Sequence, residues 1–288
     1  MARPRLSLVL FYALAFLLSW TVWSPPVAFR LGYGPPASPV WHLLGSLGPA
    51  ASAVIVSLLP FSPVRLPLVI ERLSVRRVTV RALLLAIGLP IAIAAAGLVG
   101  QAVTTGSPVL LEGIGRSLEY PALGPLAVVA VSVLFYGFGE EIGWRGYALP
   151  LFSRHFGGLS SALLMTLPWA VWHLPLLVSS PTYQALGPAG LVGWLVSLAT
   201  GAVLLTYLFH LSGRSLIVVA LFHAFIDLAM TNAAVQPIGT QLMGAIVTLL
   251  GLAAAFGCSR LARGAFMPAR PLGQAAPAAA APSLPRRG

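Results

Sequence analysis

The chain has 288 residues, 58% of them hydrophobic and only 8% charged, with a mean hydropathy of +0.91, which excludes an ordinary soluble domain and points to a polytopic membrane protein. Its 17 basic residues, all arginine, outweigh six acids to give a net charge of +11, yet they lie between apolar segments without aromatic interleaving. That placement excludes nucleic acid as a partner and assigns the arginines to topology and to anionic lipid. A single cysteine, Cys258, excludes an intramolecular disulfide and a cysteine-cluster metal site.

A helix needs roughly 20 apolar residues to cross a bilayer. On that ruler the chain offers about eight crossings, near 6–23, 40–59, 82–103, 122–138, 159–178, 189–211, 215–230 and 238–257. Arg3 and Arg5 precede the first apolar run as in a signal peptide, but no A-x-A-like cleavage site follows, so it reads as an uncleaved helix. With the N-terminus inside, every arginine except Arg30 and Arg116 falls on the cytoplasmic side, which predicts cytoplasmic termini at both ends. The segment from Arg65 to Arg81 mixes arginine with Leu, Val and Ile, as an interfacial segment on an anionic leaflet would. Three regions follow: 1–121 with the first helices and a basic cytoplasmic loop, 122–257 as a membrane core, and 258–288 as a basic tail. From Ala269 that tail is rich in Ala and Pro and predicts disorder.

Ionisable groups in a bilayer cost at least roughly 2.5 to 3.5 kcal/mol each, so those inside the apolar runs are the functional candidates. The first group is FGEEIGWRGYAL, residues 138–149. At 100° per residue Arg145 lies on the side of Glu141, so the i,i+4 ion pair goes to Glu141 and Arg145, and Glu140 is left without a local cation. Trp144, at i+4 from Glu140, is expected to cover that carboxylate, and the desolvation favours a general base. Gly139 and Gly143 form a small-xxx-small pair that lets another helix approach. The second group is PWAVWHLP, with His173 one turn after Trp169 and between two prolines that free backbone carbonyls. The third is LFHAFID, in which His223 and Asp227 share one helix face. That pair reads as a histidine oriented by its carboxylate, as two metal ligands, or as a packing ion pair.

EExxxR at Glu140, Glu141 and Arg145, aromatic-xxx-His at Trp169 and His173, and HxxxN/D at His223 and Asp227, in that order on separate apolar segments, resemble the CPBP intramembrane proteases, the CAAX-processing and bacteriocin-processing (Abi) family. The resemblance covers roughly 122–230. It implies an all-α bundle of eight transmembrane helices whose site opens toward the cytoplasmic leaflet and hydrolyses a peptide bond near the membrane. It implies that Glu140 activates water with the help of His173, and that His223 and Asp227 stabilise the oxyanion or complete a metal site. Trp169 stands where the family usually has Phe. Asp227 stands where CAAX-processing enzymes typically carry Asn, although bacterial relatives accept Asp. An ionised Asp227 cannot donate to an oxyanion, so it is protonated, orients His223, or binds metal.

Glu140, His173, His223 and Asp227 are an adequate ligand set for Zn²⁺, and acid-only activation of water is the alternative. The expected function is an endopeptidase, similar to CAAX prenyl protease 2, acting on a membrane-associated protein or peptide in a bacterial plasma membrane. Two alternatives remain: a catalytically silent scaffold or bacteriocin-immunity-type protein of the same fold, and a proton-coupled transporter. Glu140 is expected near the cytoplasmic end of its helix, so the site is expected to be a water-filled cavity entered from the cytoplasm.

Overall fold

A computed structural model describes residues 3–35, 38–184 and 186–267; the stretch from Ala269 predicted to be disordered lies outside them. The fold is an all-α bundle, without a strand among the described residues. Six helices are long and apolar enough to cross a membrane: α1 (Pro4–Arg30), α2 (Val40–Leu58), α3 (Val80–Thr105), α4 (Pro125–Ser153), α6 (Gly187–Leu211) and α8 (Pro237–Ser259). Two shorter apolar helices, α5 (Gly158–Trp172) and α7 (Leu216–Met230), complete the order expected from hydropathy. Their outer faces carry exposed apolar side chains such as Leu17, Val99, Leu126, Leu249 and Phe256, the band that a lipid environment covers.

The ends and interruptions differ from the sequence expectation in ways that matter for the site. Instead of stopping near Phe138, α4 runs on through both glutamates and Arg145 to Ser153. The charges do not end it because they are paired inside the bundle. Glu140 therefore sits near the middle of the 29-residue helix and not near its end. Two wide π-turns, Ser132–Phe138 and Trp144–Ala148, flank the α-helical turn Gly139–Gly143. In α5 the chain bends at His173 and resumes as Leu174–Ser179, a break that Pro175 at the start of the second piece accounts for.

Glycines set how closely α4 is held. A Cβ on Gly139 would lie 2.7 Å from the Ser46 carbonyl oxygen, and one on Gly143 would lie 2.8 Å from that of Pro49, so α2 packs backbone to backbone on this face. On the opposite side a Cβ on Gly137 would meet the Ala220 carbonyl oxygen of α7 at 2.4 Å. The small-residue pair read from sequence thus has its partner, and α4 is clamped between α2 and α7.

The bundle has two distinguishable ends. At the base the N-terminus meets the end of α2, where the Arg3 amide donates to the Phe61 carbonyl at 2.9 Å, and Tyr147 contacts Ser62 at 2.8 Å. Arg72, expected at the lipid interface, is instead buried here and donates to the carbonyls of Gly146 (3.0 Å) and Phe266 (2.5 Å). At the other end the 106–124 segment lies against 231–236, with the Ala233 amide on the Arg116 carbonyl at 2.9 Å.

Candidate functional site

A cavity of about 260 Å³ opens at the end away from the N-terminus and reaches down to Glu140, His173, His223 and Asp227. The structure therefore gathers all four sequence-predicted residues, drawn from α4, the α5 break and α7, around one space. It also corrects one expectation: the cavity mouth and the N-terminus lie at opposite ends of the bundle, so they cannot both face the cytoplasm.

Glu140 is buried, 5% exposed, and its Oε2 accepts from two indole N–H groups, Trp169 at 2.9 Å and Trp144 at 3.2 Å. Trp144 reaches it because the two residues are one turn apart, as the spacing predicted. Trp169 reaches it from α5. With both donors on one oxygen, the carboxylate is oriented while Oε1 takes neither indole bond. His173 Nδ1 lies 2.8 Å from the Trp169 carbonyl oxygen. A carbonyl only accepts, so Nδ1 carries the hydrogen and Nε2 is left with its lone pair.

Glu141 points away from this space and is fully buried. Its Oε1 accepts from Arg145 Nη1 at 2.6 Å, in the i,i+4 pair read from sequence. Arg145 was expected among the cytoplasmic charges, but it too is fully buried, with its guanidinium 4.8 Å from the Trp169 ring centre. The same Glu141 oxygen takes His223 Nδ1 at 2.8 Å, a contact the sequence did not announce. Nε2 of His223 faces Asp227 Oδ2 at 3.4 Å, so the imidazole stands between two carboxylates, one deep and one at the cavity wall.

No three His, Cys, Asp or Glu side chains among the described residues are grouped to hold a metal ion. One atom of each expected Zn²⁺ ligand is engaged, Oε2 of Glu140 by two indoles, Nδ1 of His173 by a carbonyl and Nδ1 of His223 by Glu141, and the atoms left open, Glu140 Oε1 and the two Nε2, are not gathered about one point. The residues as placed do not fit a zinc ligand set.

A second polar group, which sequence reasoning passed over, lines the mouth. His42 Nδ1 lies 2.5 Å from Glu119 Oε1, and the Tyr136 hydroxyl lies 3.2 Å from the same ring nitrogen and also contacts Tyr120. Burial alone would raise the Glu119 pKa. The charge and hydrogen bond of His42, aided by the Tyr120 and Tyr136 hydroxyls, overcome it and hold the carboxyl below the usual glutamate range. The available signal was one histidine opening an apolar span and one acid in the loop before α4.

Comparison with known proteins agrees with the motifs. Residues 122–229 match the family model described as type II CAAX prenyl endopeptidase Rce1-like. A curated protein of Methanococcus maripaludis named CAAX prenyl protease 2 is 27% identical over 93 residues, 31% of this chain, and the match spans 34% of that relative's length. The matched segment contains Glu140, His173, His223 and Asp227. Together with the long apolar helices, these matches make the chain an integral membrane protein whose segment 122–229 is similar to the type II CAAX prenyl endopeptidases.

Proposed function

We propose that the protein is an intramembrane endopeptidase that hydrolyses a peptide bond of a membrane-associated protein or peptide, with Glu140 as the base that activates water. The observation that carries the reading is the pair of indole N–H groups on Glu140 Oε2: they fix a buried carboxylate at a cavity wall with its other oxygen open to a water. The carboxylate takes a proton as the water oxygen bonds to the substrate carbonyl carbon. That proton then passes to the amide nitrogen as the C–N bond breaks, so Glu140 ends as it began. His173, with its Nε2 lone pair, is the second acceptor that orients the water. As an imidazolium between two carboxylates, His223 keeps its Nδ1–H on Glu141 and directs its Nε2–H at the cavity, where the 3.4 Å approach to Asp227 is loose enough to yield to a substrate oxyanion. No step is routed through a metal.

The host membrane that fits this reading is a bacterial plasma membrane, with anionic lipid against the arginine-rich end. The test uses purified protein in detergent and a fluorogenic membrane-anchored peptide. The expected result is turnover that Glu140→Gln abolishes without loss of helix content or thermal stability. If the native protein binds the peptide and never cleaves it, the silent-scaffold reading replaces this one.

A further inference from the structure

We infer that the site receives its peptide from the non-cytoplasmic face of the membrane. The inference rests on the hydrolytic reading above for the nature of the substrate, but its geometry is independent of turnover. Its first support is charge asymmetry. Arg3, Arg5, Arg65, Arg76, Arg81, Arg154, Arg260 and Arg263 are exposed at the base of the bundle, where the N-terminus, the α2–α3 and α4–α5 connections and the end of α8 lie. The mouth end carries only Arg30 and Arg116 among its described residues, together with Glu112 and Glu119. All these connections are short, the condition under which arginine bias fixes orientation, and the bias puts the base in the cytoplasm.

The second support is where the cavity opens. Its outer lining comes from Ser117 and Tyr120 before α4, Ser180 and Tyr183 after α5, and Thr231 after α7, all at the arginine-poor end. The third is that the base is shut. Below Glu140 the ring of Phe11 packs on those of Trp144 and Tyr147, with centroids 5.8 and 5.1 Å away, all three fully buried, beside the buried Glu141–Arg145 pair. A peptide coming from the arginine-rich side would have to dismantle this block, whereas one from the other side enters an open mouth. Among the described residues no arginine lines the cavity, and its charged groups are carboxylates and imidazoles, so a peptide with neutral or basic residues around the cleaved bond suits it.

The test places reporters at both ends of the full chain in a Cys258→Ser background. Thr231→Cys and, separately, Ser180→Cys probe the mouth; Val75→Cys, on a 74% exposed residue of the base, probes the other side. Sealed right-side-out spheroplasts are treated with a membrane-impermeant maleimide. The expected result is labelling of both mouth cysteines in sealed spheroplasts and of Val75→Cys only after permeabilisation. Mouth cysteines that stay unlabelled until permeabilisation overturn the inference. A cleavage arm separates the two readings. If purified protein and inside-out vesicles cleave an impermeant peptide and right-side-out vesicles do not, the orientation falls and the hydrolase stands. If purified protein cleaves nothing, the hydrolase falls and the labelling still decides the orientation.

Discussion

His223 Nδ1 lies 2.8 Å from Glu141 Oε1, the oxygen that also takes Arg145 at 2.6 Å, so the ion pair of α4 fixes the imidazole of α7. Glu141 is thereby both a fold element and the support of a site residue. Removing one partner of a buried pair leaves an uncompensated charge, at a cost of about 3 to 5 kcal/mol. Glu141→Gln and Arg145→Met are each expected to lower the unfolding temperature sharply, and the double variant to recover part of the loss. Thermal melts of the purified variants in one detergent check this. Single variants as stable as the native protein would contradict it.

Glu140 carries the opposite expectation. Its carboxylate is held by neutral donors and balances no cation by direct contact, so Glu140→Gln keeps the fold. Loss of a general base lowers turnover by roughly 10² to 10⁴-fold. Single-turnover cleavage compared with melting temperature separates the chemistry from stability.

The two indoles divide the task of aiming that carboxylate. Trp169→Phe and Trp144→Phe each remove one N–H donor to Glu140 while keeping a ring in place. A hydrogen bond to a charged group contributes about 1.5 to 3 kcal/mol, so each variant should lose roughly tenfold or more in kcat, and the double variant more than either. Kinetics that leave kcat untouched in both single variants would remove the indoles from the mechanism.

Asp227 lies at the cavity wall with its side chain 39% exposed, and among the described residues no set of three metal ligands is grouped with it. Asp227→Asn should therefore retain most of the activity, since a neutral amide still faces His223 Nε2. Strong chelators should leave native turnover unchanged. Metal content measured beside activity, before and after chelation, checks both expectations. Inactivation by chelator with recovery on adding Zn²⁺ would require a rearranged set of donors.

The mouth group should make stability depend on pH. Glu119 titrates lower in the folded chain than it would unfolded. Its stabilisation is therefore present above the ordinary glutamate value, about 4.3, and is lost as pH falls below that value through the folded one. Melting temperature should drop with acidification over this window in the native protein, and less steeply in Glu119→Gln.

What the sequence made legible was local. The Glu141–Arg145 pair, the cover of Trp144 on Glu140 and the close approach at Gly139 and Gly143 all follow from helical spacing within one segment, and each is present. Hydropathy likewise yielded the helix order. It ended α4 early because a hydropathy ruler treats Glu140, Glu141 and Arg145 as solvated, whereas the fold pairs or hydrogen-bonds each of them. The His223–Glu141 bond joins residues 82 apart, and the His42–Glu119 contact joins residues 77 apart. Neither separation leaves a periodic trace. The direction of the cavity depends on which loops flare apart and which pack, and no single segment encodes it.

A π-turn closes each hydrogen bond over one residue more than an α-turn does. Two of them bracket Glu140, at Ser132–Phe138 and Trp144–Ala148. Deleting one residue from either lets the turn relax to α geometry and rotates all that follows by about 100°. A deletion in the first would swing Glu140 off its indole donors and carry Gly139 and Gly143 away from Ser46 and Pro49. A deletion in the second would leave Glu140 in place and turn the Leu149–Ser153 end of α4 out of its packing. Chain length between Pro125 and Ser153 is thus as much a part of the site as any side chain in it, and lineages that vary the residues of this helix should preserve their number.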